Sequence, residues 1–184
     1  MLLRVSVVSI LMTTLLAGAG HAQPAATAQE GVRVPRPPAP AEYVERAKAR
    51  GPAYELSIEA ALEAINHCKS TGQEVSVQVT DASNEIVVLI SPNAAGVRSL
   101  HLLKGKTVSP YMTGRPSSSA REIARTDPVL ATRIAADIAV GYPGSVPIIV
   151  DNEMIGAITV SGSAINNDEV CANAGLSKVQ ARLK

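Results

Sequence analysis

Val146–Gly175 reads VPIIVDNEMIGAITVSGSAINNDEVCANAG, and this stretch decides the fold. Val146–Val150 and Met154–Val160 are two runs rich in Ile and Val, joined by Asp151-Asn152-Glu153. β-Branched residues suit a pleated, half-buried surface, and Asp and Asn tolerate turn dihedrals, so the pair predicts a β-hairpin. Ser161-Gly162-Ser163 leaves the sheet. Asn166 or Asn167 then offers a side-chain oxygen to cap a helix whose first turn carries Asp168 and Glu169, favourable at the positive end of the helix dipole.

Upstream, the residues predict a helix capped by Ser57, with Ile58, Ala61, Leu62, Ile65 and Lys69 along one side and Gly72 closing it. His67 falls opposite that stripe. Val75, Val77 and Val79 alternate with Ser76, Gln78 and Thr80, which predicts a half-buried strand over 74–80. A short turn at Asp81–Asn84 returns the chain as a strand over 85–90, so the two are antiparallel. Helical spacing follows from Val97 to Ser109, with Pro110 expected to stop it. Ser119–Glu122 matches a capping box, and Asp127-Pro128 is an N-cap with proline at the first helical position, so short helices are expected over 119–125 and 128–135. Asp137–Tyr142 is read as a further strand. Strands clustered in hairpins, with helices between the clusters, point to an α+β domain with an antiparallel sheet.

The chain opens Met1-Leu2-Leu3-Arg4, continues apolar through Leu16 and ends its first segment in Gly20-His21-Ala22. That is the pattern of a secretory signal peptide, with cleavage expected after Ala22. The apolar run is too short for a membrane anchor. Residues 23–53 are rich in Ala, Pro and Gln, with Pro35, Pro37, Pro38 and Pro40 clustered, and read as an extended tether in which 41–50 adds a short helix. Residues 54–184 leave one domain of about 130 residues, a usual size for a single core. The address is therefore periplasmic or secreted. There, the two cysteines of the mature chain, Cys68 and Cys171, either form a disulfide or stand as two buried thiols.

A formal charge of +1 gives no basis for a nucleic-acid surface. His67, His101 and the cysteines lack the close pair spacing of a zinc site. Val160–Ala164 is not a nucleophile elbow, and Pro143 deprives Gly141–Gly144 of an amide that a phosphate cradle needs. The chemistry-bearing residues concentrate instead in the helix after Val97 and its loop. His101, Lys104, Tyr111, Met112, Thr113 and Arg115 are the candidate ligand-binding residues. They could hold an anionic small molecule or a porphyrin, with His101 or Tyr111 on the iron and Lys104 and Arg115 near the carboxylates. A solvated helix face with a polar loop accounts for the same pattern.

Lys104-Gly105-Lys106-Thr107, Pro116-Ser117, Val146-Pro147-Ile148, Val160-Ser161-Gly162 and Asp168-Glu169-Val170-Cys171-Ala172 resemble, in this order, motifs of the GlcG/HbpS family, which is also related to the C-terminal domain of PduO. Gly105 stands where that family usually has Ala after its lysine. The resemblance implies a profilin-like domain with about five antiparallel strands flanked by helices. It further implies a homo-oligomer and, in some members, binding of haem or released iron. An exported haem-binding protein is the first expectation for function. The alternatives are a small-molecule enzyme acting on a hydroxy or keto acid, and a non-catalytic sensing or scaffold module.

Overall fold

A computed structural model of the chain describes residues 48–163 and 167–184. The residues read as a signal peptide and most of those read as a tether with a short helix lie outside the described residues; residues 48–53 are described and are not helical. The domain runs α1 (Tyr54–Ser70), β1 (Ser76–Asp81), β2 (Ile86–Ile90), α2 (Val97–Thr113), α3 (Ala120–Ile123), α4 (Pro128–Ala136), β3 (Ser145–Val150), β4 (Glu153–Ser161) and α5 (Asn167–Val179). Its sheet is antiparallel in the order β2-β1-β4-β3, four strands where about five were expected. The α+β class holds.

The β3–β4 hairpin is tighter than its sequence suggests, because Glu153 already pairs with Val150. The turn is Asp151-Asn152 alone, both with positive φ (51° and 65°), as a two-residue type I′ turn demands. The stretch read as a fifth strand forms a 3-10 turn at Ile138–Gly141 instead. Asp137 decides that outcome: its carboxylate accepts from the Ala139 amide at 3.0 Å, and its carbonyl accepts from Val140. A local cap thereby outcompetes a ladder for those amides.

Four further expectations shift. α2 passes through Pro110 and ends at Thr113, with Gly114 (φ 67°) donating back to the Pro110 carbonyl. α1 begins at Tyr54, and the Ser57 hydroxyl sits inside the first turn on the Ala53 carbonyl rather than capping. Ser119 bonds the Pro116 carbonyl, so the capping box is not made, whereas Asp127 does cap α4 through the amides of Val129 and Leu130. Finally, the buried stripe of α1 is Ser57, Ala60, Ala61, Ala64, Ile65 and Cys68, leaving Ile58 and Leu62 partly exposed.

That rotation of α1 follows from α5. Small residues face one another: a Cβ at Gly175 would lie 2.4 Å from the Ala60 carbonyl oxygen and 3.1 Å from the Ala64 Cβ. Larger side chains could not occupy this seam. One turn before Gly175, Cys171 is joined to Cys68 with a Cα–Cα distance of 5.6 Å. Behind the two helices, Val75, Val77, Val79, Ile155, Ile158 and Val160 complete the apolar core.

The opposite face of the sheet is covered too. All six residues of β1 are buried, so the strand is not half-solvated as its alternation suggests. Ser76, Gln78 and Thr80 point at α2 and find partners there or on its neighbours. Thr107 donates to the Leu103 carbonyl at 2.8 Å, so Thr159 must donate to Thr107 and Ser145 to Thr159. By the same logic Ser99 donates to the Gly96 carbonyl, Ser76 to Ser99 and Ser91 to Ser76. Each hydroxyl has one proton, which sets the direction of both relays.

Tyr111 anchors the far end of α2. Its hydroxyl donates to the Asp81 carbonyl and lies 2.9 Å from Thr80 Oγ1. Burial pushes its ionisation above the ordinary value of 10.0; the Thr80 hydrogen bond opposes that rise and the Asp81 charge adds to it. The proton is thus held more tightly in the folded chain, so this contribution to stability is complete below pH ~10 and is lost as pH rises through the raised value. A phenolate absorbance titration should show a tyrosine ionising above the ordinary value of 10.0, and Tyr111→Phe should remove that late step. For the disulfide, the Cys68→Ser, Cys171→Ser double variant should lose up to about 4.7 kcal/mol of unfolding free energy in denaturant titrations, the scale for a closed loop of this length.

Candidate functional site

The N-terminal half of α2 does not lie flat on the sheet along its whole length. Between it, the 141–143 segment, α3 and the exit of β4 there is a cleft of about 720 Å³. Arg98, Ser99, Leu102 and Lys106 come from α2; Ser118 and Arg121 from the region of α3; Gly141, Tyr142 and Pro143 from the stretch before β3. Ser161, Gly162, Ser163 and Asp168 close it. The α2 contributors recur at i and i+4 from Arg98, so helix geometry alone places them on one side.

Charge in the cleft is uneven. Arg98, Lys106 and Arg121 face a single acid, Asp168. Lys106 is buried, and its ammonium lies 2.5 Å from Asp168 Oδ2 and 3.3 Å from the Val160 carbonyl oxygen. The other carboxylate oxygen, Oδ1, accepts from the Ser163 amide at 2.9 Å and from its hydroxyl at 2.6 Å. Asp168 is therefore not merely a helix-end charge. It ties α5 to α2 and to the loop leaving β4. Its neighbour Glu169 likewise reaches out, accepting from the amide and hydroxyl of Ser118. Arg121 donates through Nε to the Gly141 carbonyl and places its guanidinium 5.6 Å from the centre of the Tyr142 ring. That stacking holds both side chains at the cleft wall.

None of the six residues proposed from sequence lines this cleft. His101 and Lys104 are exposed on α2. Tyr111, Thr113 and Arg115 lie at the C-terminal end of the helix, where the Thr113 hydroxyl bonds the Ser109 carbonyl and accepts from the Arg115 amide. Met112 borders a separate depression with Pro128, Val129 and Arg133. Helical spacing could have separated Arg98, Leu102 and Lys106 from His101 and Lys104. What it could not supply was the covering of that side by residues more than twenty positions away, such as Tyr142 and Asp168. Gly105, the departure from the family pattern, is explained by its surroundings, since a Cβ there would come within 2.4 Å of the Ala139 Cβ.

Among the described residues no group of three or more His, Cys, Asp or Glu side chains is placed to hold a metal ion, and no helix is long and apolar enough to cross a membrane.

Comparison with known proteins decides the affiliation. The model of a family described as "Haem degrading protein HbpS-like" matches residues 54–177. The chain belongs to the HbpS-like family. A double mutant of HbpS from Streptomyces reticuli superposes with a TM-score of 0.64 at 22% identity, covering 79% of this chain and 99% of that one. The Klebsiella pneumoniae protein ORFY gives 0.63 at 16% identity, with 78% and 100% covered. A PduOC:heme complex gives 0.61 at 15% identity, with 69% and 94% covered. At these identities the likeness is one of fold. No curated protein sequence matches the chain.

The Lys106–Asp168 pair has a direct test. Asp168→Ala would leave a buried ammonium without its partner, and the expected loss of stability is about 3–5 kcal/mol in chemical denaturation. Glu169→Ala, whose hydrogen bonds are exposed, should cost no more than about 1 kcal/mol in the same measurement.

Proposed function

We propose that this protein is an exported haem-binding protein and that the cleft beside the N-terminal half of α2 holds the porphyrin. The observation that carries the reading is the pairing of chemistries in that cleft. Leu102, Pro143 and the Tyr142 ring offer an apolar surface, while Arg98 and Arg121 stand beside it as cations. A porphyrin needs both, a flat apolar contact for its body and cations for its carboxylates. A volume of about 720 Å³ falls within the range of small-molecule and cofactor sites. Membership of the HbpS-like family and the fold shared with the PduOC:heme complex support the same ligand.

The donor set fits haem with one stated restriction. Of the side chains in the lining, the Tyr142 hydroxyl is the one of a type that serves as an axial ligand, and tyrosine ligation of haem iron is an established mode. Bound haem supplies iron-centred redox chemistry. The residues of this chain supply the apolar contact, the paired cations and the phenol. Export is supported by the N-terminal pattern and by the Cys68–Cys171 bridge, which suits an oxidising compartment. Assembly into a homo-oligomer is supported by side chains left partly bare on α1 and on edge strand β2, namely Ile58, Leu62, Ile86 and Leu89.

Haem titration of the mature protein should produce a shifted Soret band at micromolar haem. Tyr142→Phe should change the position of the band, and Arg98→Ala should weaken binding severalfold. His101→Ala and Tyr111→Phe, which test iron placement on the donors read from sequence, should leave the spectrum unchanged. Absence of any Soret shift in the wild-type protein would refute haem as the ligand, and a shift lost only in His101→Ala would move the site away from the cleft.

A further inference from the structure

The cleft has a floor whose polar groups are incompletely used. Lys106 carries three ammonium protons, and the fold accounts for two, on Asp168 Oδ2 and the Val160 carbonyl. Ser161 lies beside this pair on the strand that leads to Asp168, and its Oγ is buried with no hydrogen-bond partner. Ser161 pairs across the sheet with Ser76, whose single proton is committed to Ser99. A buried hydroxyl left in this way is costly, and native proteins seldom keep one without a use.

We propose that the floor of the cleft is a carboxylate subsite, in which a ligand's carboxylate takes the remaining proton of the Lys106 ammonium and the hydroxyl proton of Ser161. The Ser161 hydroxyl is fully buried in the structure, so the subsite requires it to rotate about its Cα–Cβ bond toward the cleft when the ligand binds. The subsite favours an anion, because the donor-only Lys106 ammonium and the Ser161 hydroxyl can each give it a proton. Asp168 does not compete for these two donors with its second oxygen, since Oδ1 is occupied by the amide and hydroxyl of Ser163. Arg98, exposed at the rim, adds a second cation toward which an incoming anion is drawn. The assignment rests on the cleft being the ligand site, and it deepens that reading by naming the chemical group that reaches the bottom. Such a carboxylate could belong to a porphyrin side chain or to a free small acid, and the two sources separate by experiment.

The test compares haem, haem dimethyl ester and sodium propionate on the wild-type protein and on Ser161→Ala. Soret titration reads the porphyrins, and amide chemical shifts of Ser161–Ser163 read propionate. The expected result is that haem binds more tightly than its ester by roughly tenfold, the scale of a hydrogen bond to a charged group. Propionate should perturb the 161–163 amides, and Ser161→Ala should erase that response and reduce the preference for haem over its ester to what Arg98 and Arg121 supply, while raising the melting temperature, because the variant removes an unpaired buried hydroxyl. A merely structural serine would lower the melting temperature or leave it unchanged. Equal affinity for haem and its ester, with no response to propionate, overturns the subsite and leaves haem binding standing. A propionate response that Ser161→Ala abolishes, with no Soret shift from either porphyrin, supports the subsite and overturns haem as the ligand. Binding of propionate that survives Ser161→Ala unchanged overturns the assignment to this serine.

Discussion

Everything in this domain depends on a sheet whose central strands are hidden on both faces. One face is conventional, with valines and isoleucines of β1 and β4 pressed against α1 and α5. The other carries Ser76, Gln78, Thr80, Thr159 and Ser161, and α2 lies over it. A hydroxyl withdrawn from water without a partner costs on the order of 1–3 kcal/mol, so covering this face is feasible only if the hydroxyls satisfy one another. Ser76 and Thr159 do so by relay and Thr80 through Tyr111, whereas Ser161 Oγ is left without a partner. One line runs from Ser145 through Thr159 and Thr107 to the Leu103 carbonyl, the other from Ser91 through Ser76 and Ser99 to the Gly96 carbonyl. Both end on carbonyls of α2 or its cap, which fixes the register of the helix on the sheet.

With α2 held in this way, its first half is free to form one wall of the cleft. Lys106 is the link between framework and site. Its ammonium is buried against Asp168, so it fastens α5 to α2, yet it lies at the floor of the open space. Desolvating such a pair is expensive, and its worth depends on how fully the remaining lone pairs and protons are used. Asp168 is fully engaged by Lys106 and Ser163. Cys171 follows on the same helix and is bridged to Cys68, so the carboxylate is carried by an element that is covalently fastened at its next turn. The acid thus stands on a rigid support, as a preorganised binding site requires.

Much of the fold was legible in the residues. The alternation of Val75, Val77 and Val79, the hairpin around Asp151-Asn152 and the Asp127 cap are local signals whose physics is complete within a few positions. The failures share a cause. Asp137–Tyr142 has strand-like composition, but the Asp137 side chain claims the amide that pairing would need. Pro110 ends a helix by propensity, yet it is buried and α2 continues past it to Thr113. On α1 the larger apolar residues Ile58 and Leu62 suggested the buried side, whereas the close approach of α5 selects alanines. The site was less legible still. Residue type drew attention to His101, Tyr111 and Arg115, while Tyr142, Ser161 and Asp168 carried no signal of belonging with Arg98 and Lys106.

By itself the sequence determined the class of the domain, most of its elements and its place in the HbpS-like family, because strand alternation, turn dihedrals, helix caps and motif order are properties of neighbouring residues. Only the tertiary structure decided which side of α2 meets the sheet, which cations stay open and which serines, Ser109 and Ser161, are left with an unused proton. Those outcomes turn on hydrogen bonds between residues tens of positions apart, such as Gln78 with Thr107 and Lys106 with Asp168. The hairpin and helix of 146–175 thus serve two ends at once: they build one half of the sheet, with β4 in its centre and β3 at its edge, and through Ser161 and Asp168 they supply the floor of the cleft.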